Sequence, residues 1–62
     1  MEIIYTGTEE NMIEIYHALP GKARTKCIRS FEKSIVIPTD SGAKQVFEGE
    51  TIVILNGIVT IK

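Results

Sequence analysis

TIVILNGIVTIK, residues 51–62, says more about the architecture than any other part of the chain. Two aliphatic and β-branched runs flank the dipeptide Asn56-Gly57. Asn-Gly is the preferred loop of a two-residue hairpin, because both central residues of a type I′ turn need a positive φ. The stretch therefore predicts an antiparallel hairpin in which Leu55 lies opposite Ile58.

The predicted hairpin has two different faces. One face is wholly aliphatic and consists of Ile52, Ile54, Val59 and Ile61. The other face has an apolar part formed by Val53, Leu55 and Ile58, and becomes polar toward Thr51, Thr60 and Lys62. A single amphipathic helix covers only one face of a sheet, so two interpretations remain. Either the sheet curls into a small barrel, or the second face is an interface with another copy or another protein.

The residues before this hairpin predict a short strand followed by a helix. Residues 2–6 are a strand, and Thr6 or Thr8 caps a helix whose first turn is acidic. The apolar residues of that segment have helical spacing: Met12, Ile15, Tyr16 and Leu19. Pro20-Gly21 ends the helix. A strand over 12–16 is the alternative, since apolar and acidic residues also alternate there.

Further strands fill the middle of the chain. Residues 22–31 predict a strand with one charged face, with a bulge near Cys27 that returns Arg29 to that face. Residues 34–38 and 43–48 predict two more strands around a turn at 39–42. The expected fold is α+β: one N-terminal helix packed on a strongly curved antiparallel sheet of four to five strands, in the order β-α-β-β-β-β-β. Residues 1–62 form a single domain.

The composition restricts how so small a chain is stabilised. It has 62 residues, one cysteine and one histidine, so an internal disulfide is impossible and a zinc site is not expected. Oligomerisation is the remaining means of stabilisation, and we expect a dimer or higher homo-oligomer. Neither a signal peptide nor a membrane-spanning segment is expected, and the unpaired cysteine fits the reducing cytoplasm.

Charge is unevenly distributed along the chain. The net charge is −1, which argues against a general nucleic-acid binder. However, five of the seven Lys and Arg residues lie within 22–33, whereas 1–21 contains none. A positive stripe that binds phosphates or an acidic protein surface would consist of Lys22, Arg24, Lys26 and Arg29. The simpler interpretation is that these charges protect an edge strand from pairing with other molecules.

The sequence lacks a catalytic constellation. His17 fits an exposed position near the helix C-terminus, and Cys27 fits a small apolar side chain, although neighbouring basic residues favour its thiolate. The four aromatic residues fit core or near-core positions and offer no stacking platform for single-stranded nucleic acid: Tyr5, Tyr16, Phe31 and Phe47. We therefore expect no enzyme activity, no cofactor and no bound metal.

Three motifs resemble a pattern in small phage-encoded proteins. They are IPTDSG at 37–42, VFEGETI at 46–52 and the Asn56-Gly57 turn. Together they are similar to the phage domains related to the PGDYG family, although Glu50 stands where the family has Asp and Thr51 where it has an aromatic residue. The resemblance implies a phage or prophage origin and an α+β fold, and it implies no reaction.

These observations predict a non-enzymatic module that binds proteins or self-assembles. If the chain is phage-encoded, it is an accessory protein of the host cytoplasm, and an inhibitor of a host protein or defence system is one form of this hypothesis. The alternative is a binder of nucleic acid or of a small anionic ligand that uses the basic strand at 22–29.

Overall fold

The structure is a computed structural model that describes residues 1–21, 29–31 and 34–62, with 29–31 described at the level of the backbone. The elements follow one another in the predicted order. They are β1 (Glu2–Ile4), α1 (Glu9–Ala18), β2 (Arg29–Phe31), β3 (Ser34–Thr39), β4 (Gly42–Phe47), β5 (Thr51–Leu55) and β6 (Ile58–Ile61). Helix and antiparallel sheet together confirm the α+β arrangement.

The strands of the described residues form two three-stranded antiparallel sheets, with the orders β1-β5-β6 and β2-β3-β4. The expected single, strongly curved sheet of four to five strands is therefore not confirmed. β5 pairs with β6 on one side and with β1 on the other, where Ile3 lies opposite Ile52. Both sides of β5 are therefore occupied, and β4 pairs with β3 in a separate sheet. Beyond β1, the Tyr5 N–H donates to the Glu50 carbonyl and the Gly49 N–H to the Tyr5 carbonyl, both at 2.9 Å.

The helix begins at Thr8, one of the two predicted caps. Its hydroxyl accepts a hydrogen bond from the Asn11 N–H at 3.2 Å, which satisfies one of the free donors of the first turn. At the other end, Leu19 is the C-cap, and its N–H donates to the Ile15 carbonyl at 3.0 Å. The helix therefore ends before Pro20, as predicted. The strand alternative for 12–16 is wrong.

A single core joins the helix to both sheets. Its buried apolar residues are Ile3, Tyr5, Ile15, Leu19, Ile35, Ile37, Val46, Ile52 and Val59. Of the four residues predicted to form the buried helix face, Ile15 and Leu19 are buried and Met12 packs against the core. The fourth, Tyr16, is exposed. Phe47 is also exposed, so the expectation that Tyr16 and Phe47 lie in or near the core is wrong. Tyr5 is buried, as expected.

The turn between β3 and β4 lies where it was predicted, at Asp40-Ser41. Thr39 donates its hydroxyl to the Gly42 carbonyl at 2.6 Å and accepts from the Ser41 N–H at 3.2 Å. Pro38 does not stop β3, because it lies opposite Ala43 of β4. Among the described residues, the pairing of β3 with β2 reaches only as far as Val36, so no described residue lies opposite Pro38 on that side.

The final hairpin forms in the predicted register, with Leu55 opposite Ile58 and Ile52 opposite Ile61. Asn56 and Gly57 have φ of 52° and 78°, the left-handed conformation that a type I′ turn requires of both residues. The wholly aliphatic face is turned to the core, since Ile52 and Val59 are buried and Ile54 and Ile61 pack against them.

Candidate interaction surface

The second face of the hairpin, named here the outer face, belongs to the β1-β5-β6 sheet. Strand alternation and the pairing register place on it Glu2, Ile4, Thr51, Val53, Leu55, Ile58, Thr60 and Lys62. The helix packs on the opposite, aliphatic face through Ile15. Nothing in the described part of the chain is therefore layered on the outer face in the way that the helix covers the inner one.

Leu55 and Ile58 form the apolar end of the outer face. They lie directly opposite each other on either side of the Asn56-Gly57 turn, and their exposed fractions are 62% and 48%. Val53, the next residue inward on the same face, is half-buried. The interpretation in which the sheet curls over this face is therefore wrong for Leu55 and Ile58. A single exposed aliphatic side chain is common on protein surfaces, whereas an adjacent cross-strand pair is a small apolar patch.

An ion pair closes the other end of the outer face. Glu2 lies opposite Val53 on one side of β5, and Lys62 lies opposite Thr51 on the other side. Their side chains meet across β5, with Lys62 Nζ 3.8 Å from Glu2 Oε2. Both side chains are more than half exposed, so the pair adds little to stability. The ion pair therefore places charge at the end of the outer face away from the Leu55–Ile58 pair, beside the exposed Ile4.

The loop before β5 bonds to the chain just after β1 and contains Glu50, the second acidic residue of the VFEGETI motif. The Glu50 carboxylate accepts a hydrogen bond from the Phe47 N–H at 2.7 Å, and the Glu50 N–H donates to the Phe47 carbonyl at 3.1 Å. A carboxylate can take up the backbone donors of a tight turn in this way. Glu50 is therefore a turn residue, which accounts for its place in the motif without a ligand.

The basic stretch is placed only in part. Lys22, Arg24 and Lys26 lie outside the described residues, as does Cys27. Arg29 is the first residue of β2, where its backbone lies opposite Val36. The positive stripe and the predicted bulge therefore stay predictions. His17 lies on the exposed side of α1, where its ring stands edge-on to that of Tyr16 at a centroid distance of 5.8 Å.

No group of three or more His, Cys, Asp or Glu side chains is placed to hold a metal ion within 1–21 and 34–62. An open, polar depression lies at the start of α1, lined by Thr8, Glu10, Asn11 and Glu14. Over the same described residues, the helical segments lack the length and apolar character that a membrane crossing needs.

Comparison with protein-family models, curated proteins and solved structures finds no match to this chain. The resemblance to the PGDYG-related phage domains, and the origin that it implies, therefore stay predictions. The sequence did single out Val53, Leu55 and Ile58, and the structure brings these residues together on one face. Ile4 and Phe47 are exposed although both are large apolar residues of strands, because each follows a buried neighbour and lies on the other face of its sheet.

Proposed function

We propose that the chain is a non-enzymatic protein-binding module whose first partner is a second copy of itself, through the Leu55–Ile58 end of the outer face. The observation that carries the proposal is the exposure of this cross-strand pair on a sheet face that no described element covers. An apolar patch bordered by polar groups is typical of an interaction site.

The bordering groups support a second copy as the partner. Thr60 and the Glu2–Lys62 ion pair lie beside the patch, so the surface has apolar, neutral polar and oppositely charged groups within one small area. Two copies of this surface can pair across a two-fold axis, because each charge of one copy can then lie near the opposite charge of the other and the apolar pairs can meet.

The small size of the chain also favours association with a second copy. A stable interface of standard size removes about 800 Å² from each partner. The whole chain exposes only 4244 Å², so such an interface would take about a fifth of its surface. With one cysteine and one histidine in the sequence, association is the available source of added stability. A cytoplasmic location and a role as a phage accessory protein that occupies a host protein remain part of this proposal.

Static light scattering on matched variants tests the proposal. Leu55→Ser combined with Ile58→Thr removes the apolar pair, while Ile13→Gln removes an equally exposed aliphatic side chain from α1. At micromolar concentration the unmodified chain and Ile13→Gln should have a mass above that of one chain, and the double variant should have the mass of one chain. If Ile13→Gln lowers the mass as much as the double variant does, the surface is not the one proposed.

A further inference from the structure

Asn56 and Gly57 form the exposed loop of the final hairpin, where an asparagine side chain lies next to an unhindered peptide nitrogen. Both residues are exposed, and a Cβ added to Gly57 would meet no heavy atom within 4 Å. None of the hydrogen bonds between described residues uses the Gly57 N–H or the Asn56 side-chain amide. The Cγ of Asn56 and the nitrogen that follows it are therefore accessible to each other and to water.

The other asparagine of the chain, Asn11, has the opposite surroundings. Its side chain is buried, accepts from the Thr6 N–H and donates to the Ile4 carbonyl, both at 2.9 Å. The peptide nitrogen that follows it, that of Met12, donates to the Thr8 carbonyl at 3.0 Å within α1. Both the side-chain amide and the following N–H are thus engaged at Asn11, and neither is engaged at Asn56.

We infer that Asn56 is a site of spontaneous deamidation through an imide formed with the Gly57 nitrogen. The Gly57 peptide nitrogen attacks Asn56 Cγ, so that an N–Cγ bond forms and the bond from Cγ to Nδ2 breaks. The proton of the Gly57 N–H passes through water to the leaving group, which departs as ammonia. Water then opens the imide ring. Opening at Cγ gives aspartate, and opening at the main-chain carbonyl gives isoaspartate, whose chain continues through the side chain.

The turn has to open before the ring can close. The imide ring holds the ψ of Asn56 outside the left-handed region, in which the residue has φ of 52°. The loop lies at the tip of the hairpin, and the strand pair next to it, Leu55 with Ile58, is exposed. Segments with few buried contacts open locally at low free energy. We therefore expect the folded chain to react nearly as fast as the unfolded chain.

Both products change the apolar end of the outer face. Aspartate is compatible with the turn, since Asp-Gly also forms two-residue hairpins, but it adds a negative charge beside Leu55 and Ile58. Isoaspartate adds one carbon to the main chain of the loop, so the two-residue turn and the register that it sets are lost. Deamidation should therefore weaken self-association. This consequence, unlike the site itself, rests on the proposed function.

Peptide mapping by mass spectrometry tests the site. The folded chain and the chain in urea are incubated at the same pH and digested with trypsin, which cuts after Lys44 and separates 45–62 from Asn11. The peptide 45–62 should gain one dalton in the folded chain at a rate within about tenfold of that in urea. The peptide that contains Asn11 should keep its mass in the folded chain. Conversion of folded 45–62 that is more than tenfold slower than in urea would overturn the inference.

Gly57→Ala is the matched variant for the chemistry. In urea, where the turn is absent from both chains, it should slow the conversion of Asn56 at least tenfold, because a Cβ shields the peptide nitrogen. An unchanged rate would contradict attack by the Gly57 nitrogen. Electron-transfer fragmentation of 45–62 should find both aspartate and isoaspartate at residue 56, since the ring opens at either carbonyl. Aspartate alone would indicate direct hydrolysis of the side chain and overturn the imide route.

Asn56→Asp tests the consequence separately from the site. Static light scattering should show a dissociation constant about threefold higher than that of the unmodified chain, as expected for an exposed charge at an interface. Ser41→Asp adds the same charge in the exposed β3–β4 turn and should leave association unchanged. If Asn56→Asp associates as tightly as the unmodified chain, the consequence is overturned. If the unmodified chain is itself monomeric, the proposed function fails, and the mass shift at Asn56 still decides the site.

Discussion

The Asn11 side chain, in the first turn of α1, donates a hydrogen bond of 2.9 Å from Nδ2 to the carbonyl of Ile4, the last residue of β1. Its Oδ1 accepts from the Thr6 N–H, also at 2.9 Å. The side-chain amide therefore bonds the carbonyl before Tyr5 and the N–H after it. A backbone residue in a neighbouring parallel strand makes the same pair of hydrogen bonds. On the other side of the chain, Tyr5 itself bonds with Gly49 and Glu50. Asn11 therefore attaches the helix to the sheet that carries the outer face.

Asn11→Ala should lower the free energy of unfolding by about 2 kcal/mol, because two hydrogen bonds are lost and the Ile4 carbonyl and Thr6 N–H lose their partner. Urea unfolding followed by circular dichroism measures the change. Asn11→Asp retains the acceptor for Thr6 but places a carboxylate oxygen against the Ile4 carbonyl, so it should also destabilise the fold. An Asn11→Asp variant as stable as the unmodified chain would contradict the assigned roles of the two amide atoms.

Gly7 tests the loop that joins β1 to α1. Its φ is +81°, and an added Cβ would come within 2.9 Å of Glu48 Oε1. Gly7→Ala should destabilise the chain by about 1–2 kcal/mol, the cost of a left-handed conformation for a residue with a Cβ. The glutamate side chain is exposed and free to move aside, so most of this cost should persist when Glu48→Ala is added. Thermal unfolding of Gly7→Ala, Glu48→Ala and the double variant separates the cost of the backbone conformation from the cost of the contact with Glu48.

The Asn56-Gly57 turn should be sensitive to a side chain at its second position. Gly57 has φ of +78° with open space around the position of a Cβ, so Gly57→Ala should cost about 1–2 kcal/mol through backbone conformation alone. Asn56→Gly should be nearly neutral, since glycine also adopts the φ of 52° found there. Urea unfolding measures both changes. Equal decreases in the free energy of unfolding for Gly57→Ala and Asn56→Gly would contradict the role assigned to the positive φ of Gly57.

The sequence predicted the parts of the fold that depend on neighbouring residues. The hairpin register follows from the two residues of its turn, and the N-cap of α1 follows from Thr8 and the acidic first turn. Pairing between distant segments has no such local signal. Ile3 and Ile52 are 49 positions apart in the chain, and their contact is what separates the strands into two sheets.

The same distinction applies to the candidate surface. Alternation along 51–62 identified Val53, Leu55 and Ile58 as one face, because strand geometry alone decides which residues share a side. Whether that face is covered depends on the path of the whole chain. The expectation that Tyr16 and Phe47 lie in or near the core is wrong for this reason: their chain neighbours Ile15 and Val46 occupy the core instead.

The basic stretch offers a test of the alternative function. If the chain acts through the Leu55–Ile58 pair, then Arg24→Ala combined with Lys26→Ala should leave self-association unchanged, and titration with DNA, RNA or nucleotides should give no salt-dependent binding. Fluorescence anisotropy with labelled oligonucleotides measures this. Binding that weakens with salt and with both substitutions would favour the nucleic-acid or anionic-ligand function instead.

Sedimentation equilibrium of the unmodified chain, from about 1 μM to 1 mM, tests the central claim most directly, since interfaces of modest area fall in this range of affinity. The account predicts an average mass that rises with concentration from 6.9 kDa toward twice that value. The rise should be lost in the Leu55→Ser and Ile58→Thr double variant. A mass of 6.9 kDa at every concentration would contradict the account.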